Sequence, residues 1–225
     1  MDFWDWTTFW IFIHVLVMAF WLGGDMGAYY SAKLFVRTEY SPETRAVLAR
    51  VMQGVDIFPR LSMVLVLPTG MTLAARTGLS PVEGGWLILV WVVAAAWLFL
   101  VWNIHRPTAP DWGKKLHGLD SAINWVLLVV VLAAAVGSFV AGQPFSEPWL
   151  ALKVLLYGFT FAGLIAVNKM LTPFGPAFAR LLSEGSSPEV EAIIKGTIDR
   201  SKPVIWAFWA IVVANTAIGL FKPAF

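Results

Sequence analysis

The sequence contains no cysteine among its 225 residues, which excludes disulfide bonds, thiolate metal sites and iron–sulfur clusters. It is also poor in charge, since only 13% of the residues are Asp, Glu, Lys or Arg, whereas soluble domains average about 25%. The formal net charge of +2 does not indicate a nucleic-acid partner. A water-soluble chain of this length would lack the polar residues needed to cover its surface.

Motifs of many soluble enzymes are missing as well. The sequence has no P-loop, no Gly-x-Gly-x-x-Gly, no His-Glu-x-x-His and no Gly-x-Ser-x-Gly. Apolar residues, by contrast, make up 59% of the chain, and there are 13 Trp, a residue that favours the membrane–water interface. These features predict a membrane protein in contact with the lipid bilayer.

Six segments are long and apolar enough to cross a bilayer, which takes about 20 residues each. The connections between them carry Gly, Pro and Ser, as loops do. We therefore expect an all-α polytopic transmembrane helix bundle that forms a single domain over residues 1–225. The predicted spans are approximately residues 7–31, 55–75, 86–104, 119–141, 149–171 and 204–221.

Basic residues are concentrated in the first, third and fifth connections. The fourth connection has no Lys or Arg, and the second has only Arg76. Because basic loops stay in the cytoplasm, both termini are expected outside it. Two basic connections contain helical patterns, at residues 42–53 and 188–200, each preceded by a serine that suits an N-cap. They are either cytoplasmic extensions of the second and sixth spans or platforms lying on the membrane surface.

One face of the first span carries His14, Met18, Trp21 and Asp25 at helical spacing, and we expect it to point into the bundle. His14 lies about seven residues into the span, roughly 10 Å deep at 1.5 Å per residue. An imidazole at that depth is either an axial haem or copper ligand or a structural residue bonded to a neighbouring helix. Nearby glycines are expected to allow close helix contact.

The outer half of the fifth span contributes Lys153, with Tyr157 and Thr160 on the same face. Lys153 should lie at a depth similar to that of His14. Its ammonium either extends to the outer interface or stays in the bundle. In the second case it is either a charge partner for a haem propionate or a proton donor. Met71, near the outer end of the second span, is a candidate soft metal ligand or a packing residue.

Charged residues also recur towards the cytoplasmic side. We expect three of them at comparable depth, namely Asp25, Asp56 and Arg60. They form either a buried Asp–Arg ion pair that joins the first two spans or a route for protons. His105 and His117 flank the third connection and are either exposed loop residues or a site of their own, with or without Asp111.

Several short strings resemble membrane proteins of the CopD copper-resistance type and the HemJ protoporphyrinogen oxidase type. The first is His14 with Trp21-Leu-Gly-Gly beginning seven residues later. The others are Arg60-Leu-Ser leading to Thr69-Gly70, Trp149-Leu-x-x-Lys153, and Lys222-Pro223. These matches cover about half of the chain. HemJ-type proteins have about four spans, whereas six are predicted here.

The resemblance implies a haem b site with His14 as axial ligand and Lys153 nearby. Met18, Trp21, Met71 and Tyr157 are further candidates for the surroundings of the cofactor. The implied chemistry is that of a membrane oxidoreductase, either porphyrinogen or quinone-linked oxidation or electron transfer, in a bacterial inner membrane.

Two other functions stay open. One is a copper or small-solute transporter of the CopD type, with a polar pathway through Asp25, Arg60 and His14. The other is a non-catalytic subunit of a larger membrane complex. Quinone, porphyrin, further copies of the chain and partner subunits are the candidate partners.

Overall fold

The computed structural model describes residues 5–106 and 108–224, and all regular structure in those ranges is helical. Six helical stretches are long and apolar enough to span a membrane, which confirms the predicted all-α polytopic bundle. The helices are α1 Trp6–Phe35, α2 Pro42–Arg76, α3 Gly85–His105, α4 Asp111–Lys114, α5 His117–Ala141, α6 Pro148–Leu171, α7 Phe174–Glu184 and α8 Pro188–Phe221.

The six long helices form a ring in chain order. α1 packs on α2, α2 on α3, α3 on α5, α5 on α6, α6 on α8, and α8 returns to α1. Neighbours in the chain are therefore neighbours in space, as short connections favour. The centre of the ring is where the inward faces of the spans meet.

The tightest part of the ring is the crossing of α1 and α2. A Cβ atom added at Gly24 would lie 2.5 Å from the Cδ of Pro59, and one added at Gly27 would lie 2.9 Å from Val55. Small residues let two backbones approach this closely in a bilayer. Gly23 has nothing within 4 Å of the corresponding position, so of these three glycines only Gly24 and Gly27 make the predicted close contact.

The two helical connections are continuous with spans. α2 begins at Pro42 behind the cap Ser41, whose hydroxyl accepts from the Thr44 amide. α8 begins in the same way at Pro188, behind Ser187. The interpretation as extensions of the second and sixth spans is therefore correct.

These extensions pack with α7, a short amphipathic helix in the fifth connection that the sequence pattern did not predict. Phe35, Leu181, Val190 and Ile194 form its fully buried core. Beside this core the Arg45 guanidinium, 1% exposed, binds both carboxylate oxygens of Glu191 at 2.6 and 3.0 Å. A fork of this kind fixes geometry as well as charge, so it ties the start of α2 to the start of α8.

Candidate functional site

Two cavities lie inside the ring, one in each half, and no residue lines both. We call the larger one, of about 580 Å³, the outer cavity, because it lies at the end predicted to face away from the cytoplasm. We call the other, of about 440 Å³, the inner cavity. Both volumes fall in the range of ligand-binding cavities.

A layer of large side chains separates the cavities. Met18 and Tyr157 face the outer cavity, whereas Trp21 and Met63 face the inner one, and all four are buried. The Tyr157 hydroxyl donates to the Met63 carbonyl at 2.8 Å, which joins α6 to α2 across the ring. Trp21 is therefore not a neighbour of His14 in one cavity, although its helix face does point inward as predicted.

His14 stands in the wall of the outer cavity with its ring oriented by α2. Its Nδ1 lies 2.8 Å from Oγ1 of Thr69, and that hydroxyl donates to the Leu65 carbonyl at 2.7 Å. Because the hydroxyl proton is used there, the threonine oxygen accepts from the imidazole, and Nδ1 carries the proton. Nε2 keeps a free lone pair and has no hydrogen-bond partner in the described part of the chain.

Gly70 provides the space for this ring. A Cβ atom at position 70 would lie 3.2 Å from Cε1 of His14, closer than most real Cβ contacts. The imidazole is therefore held between the threonine hydroxyl and the bare backbone of α2. The sequence Thr69-Gly70 accounts for both contacts.

Lys153 lines the same cavity, as its predicted depth implied. Its ammonium donates to the Asn215 carbonyl at 2.8 Å, and the Asn215 side-chain amide donates back to the Lys153 carbonyl at 2.9 Å. A Cβ atom at Gly219 would lie 2.6 Å from the Lys153 Nζ, so this glycine makes room for the ammonium. Among the described residues one of the three N–H donors of the ammonium is bonded in this way, which leaves two.

The remaining outer-cavity candidates also converge there. Met18, Met71 and Tyr157 line the cavity, although the tyrosine hydroxyl is already bonded to a carbonyl. The Lys222 ammonium lies 5.7 Å from the centre of the Trp149 ring, at the cavity rim. Two of the strings that carry the family resemblance thus meet each other at this rim.

Asp25, Asp56 and Arg60 line the inner cavity together. The ion pair forms between Arg60 Nε and Asp56 Oδ2, at 2.6 Å, one turn apart within α2. The expected pair between the first two spans is therefore wrong. Four residues along one helix bring the carboxylate and the guanidinium together without the first span.

The inner cavity contains a second polar group, which the sequence did not predict. Asp120 accepts from Trp97 Nε1 at 3.1 Å and lies 3.3 Å from His105 Nε2. His105 is therefore a half-buried partner of an aspartate, whereas His117 is exposed and only touches the His105 ring. The position of Asp120 in the first turn of a span, beside the basic third connection, was the one available signal.

The described residues contain no group of three His, Asp or Glu side chains that could hold a metal ion. Comparison of the chain with models of protein families, with curated proteins and with solved structures gave no match in any of the three. The resemblance to CopD-type and HemJ-type proteins thus rests on the residues quoted above.

Proposed function

We propose that the chain is a haem b-binding membrane protein of redox type that holds the cofactor in its outer cavity. The observation that carries this proposal is the convergence of His14, Thr69-Gly70, Trp149 to Lys153 and Lys222 on that one cavity. These segments come from four different helices or helix ends, and each belongs to a string that resembles CopD-type or HemJ-type proteins. Trp21 and Arg60 of the same strings line the inner cavity instead.

The donor set of the cavity fits one haem. The free Nε2 lone pair of His14 would hold the haem iron, and the Thr69 hydroxyl on Nδ1 is the outer partner that a metal-ligating histidine usually has. The Lys153 and Lys222 ammonium groups offer positive charge to two propionates. The thioethers of Met18 and Met71 line the same cavity and would be available to pack against the haem or to bind its iron.

Bound haem would supply one-electron chemistry, and the protein would set where it occurs. The largely apolar lining of the outer cavity limits water around the cofactor. The layer between the cavities limits passage of the cofactor towards the other half of the ring. These features suit electron transfer to or from a lipid-soluble partner such as a quinone or a porphyrinogen, in a bacterial inner membrane.

A visible spectrum tests the proposal. The full-length protein, expressed in haem-producing cells and purified in dodecyl maltoside, should show a Soret band with about one haem per chain. His14→Ala should lose the band. Thr69→Val, which removes the acceptor for Nδ1, should weaken haem retention by about 10- to 100-fold, the usual effect of removing such a partner.

His117→Ala is the matched control, because this histidine is exposed at the other end of the ring and should retain the full band. A folded wild-type protein without a Soret band would refute the proposal, as would a band of equal height in His14→Ala.

A second candidate, copper binding, is favoured by one observation. The His14 imidazole and the Met18 and Met71 thioethers line one cavity, and imidazole with thioethers is a ligand set that suits Cu(I). Metal analysis of the same preparation decides this. About one copper per chain in a colourless protein, lost in Met71→Leu, would replace haem by copper as the bound group.

A further inference from the structure

We propose that the inner cavity is a separate binding site for an organic cation, such as a quaternary ammonium or a protonated amine, with the Asp25 carboxylate as its counter-charge. The proposal concerns residues that the haem site does not use, and it stands whether or not haem binds in the outer cavity.

Charge balance in the inner cavity is the first reason. Three carboxylates and one guanidinium line it. Arg60 is bonded to Asp56, and Asp120 accepts from Trp97 and His105. Asp25 has no hydrogen bond of this kind in the described residues. Arg60 also attracts Asp25, but three carboxylates share this one guanidinium. Negative charge is therefore in excess in the cavity, so a positive charge from a ligand would be stabilised there.

An unused acceptor is the second reason. Asn124, which also lines the cavity, is only 4% exposed, and its Oδ1 has no hydrogen-bond partner. Its amide nitrogen is already bonded, to the Asp120 carbonyl at 2.8 Å. Buried oxygens are almost always satisfied, so this one indicates a missing donor. The partial negative charge of this oxygen would add to that of the carboxylates in attracting a cation, whether or not the cation carries N–H groups.

The walls favour an organic ligand over a metal ion. Trp21, Trp97 and Phe208 present aromatic rings to the cavity, and aromatic faces attract organic cations. The volume of about 440 Å³ suits a small organic molecule. The described residues hold no cluster of three carboxylate or imidazole ligands that would select a metal ion instead.

The test is binding of benzyltrimethylammonium, whose charge does not depend on pH. Radiolabelled benzyltrimethylammonium is equilibrated by dialysis against the full-length protein in dodecyl maltoside, an uncharged detergent. Neopentylbenzene, the neutral hydrocarbon of the same shape, is used as a competitor. We expect saturable binding at one site per chain. The hydrocarbon should compete at least tenfold more weakly than the unlabelled cation does. Asp25→Asn should bind the cation at least tenfold more weakly than wild type does.

Asp25→Glu keeps the charge and should bind within about threefold of wild type, which separates lost charge from a disturbed fold. Asp199→Asn is the matched control, because this carboxylate lies on α8 outside the cavity, paired with Lys202, and should not alter binding. Equal binding by Asp25→Asn and wild type would overturn the proposal. Equal competition by the hydrocarbon would also overturn it, since the cavity would then recognise shape without charge.

Discussion

Replacing Gly24 by alanine should push α1 away from α2. The new Cβ would lie 2.5 Å from Pro59 Cδ and 3.0 Å from Phe58 Cβ, whereas carbon atoms normally approach to about 3.5–4.0 Å. The proline ring cannot rotate away, so the helices must separate by on the order of 1 Å at this crossing. Overpacking of this kind costs about 1–3 kcal/mol.

Gly23→Ala provides the reference, because a Cβ there meets nothing within 4 Å. Both substitutions gain the same helix propensity, about 1 kcal/mol, so that contribution cancels when the two variants are compared. The difference in free energy of unfolding between them should therefore be about 1–3 kcal/mol, with Gly24→Ala the less stable.

Unfolding in mixed micelles of dodecyl maltoside and dodecyl sulfate measures this difference, with tryptophan fluorescence as the readout. The Gly24→Ala transition should come at a lower fraction of dodecyl sulfate. Coincident transitions for the two variants would refute the close packing of α1 on α2 at Pro59.

Three further predictions concern the rest of the ring. Arg45→Ala should lower the free energy of unfolding by about 1.5–3 kcal/mol, because it removes the charged hydrogen bonds from the buried guanidinium to Glu191 and to the Phe35 carbonyl. Exposed Arg50→Ala should change it little, and similar losses in the two variants would contradict the role of the fork. Tyr157→Phe should lower the free energy of unfolding by about 0.5–2 kcal/mol in the same assay, because it removes the hydrogen bond to the Met63 carbonyl. Tyr30, which is 61% exposed, provides the control. An effect no larger than that of Tyr30→Phe would contradict the bond across the ring. A reporter inserted at residues 108–110 should be cytoplasmic and one at 143–146 external; the reverse would overturn the predicted orientation.

The level of a residue along the bundle could be predicted from the sequence, and much of the outer cavity follows from it. Position along a span fixes depth at 1.5 Å per residue, so His14 and Lys153 were expected at one level, and they line one cavity. The inward face of α1 followed from helical spacing in the same way.

Lateral neighbours could not be predicted, because periodicity gives the direction of a side chain and not its partner. The aspartate–arginine pair was therefore expected between two helices, although Asp56 and Arg60 meet within one. Trp21 was assigned to the cofactor site for the same reason, since nothing in the spacing reveals a layer between Met18 and Trp21. Asp120 was missed because its importance depends on Trp97 and His105, which are distant along the chain.

Chain-order packing has a consequence for assembly in the membrane. Each newly inserted helix finds its partner in the one made just before it, so the first five spans can associate as they emerge. The carbonyl that binds the Lys153 ammonium and the Phe208 ring of the inner cavity both belong to α8, the last of the six. The outer and the inner cavity therefore remain incomplete until α8 packs against α1. Each cavity can bind its ligand only after this last helix has been inserted.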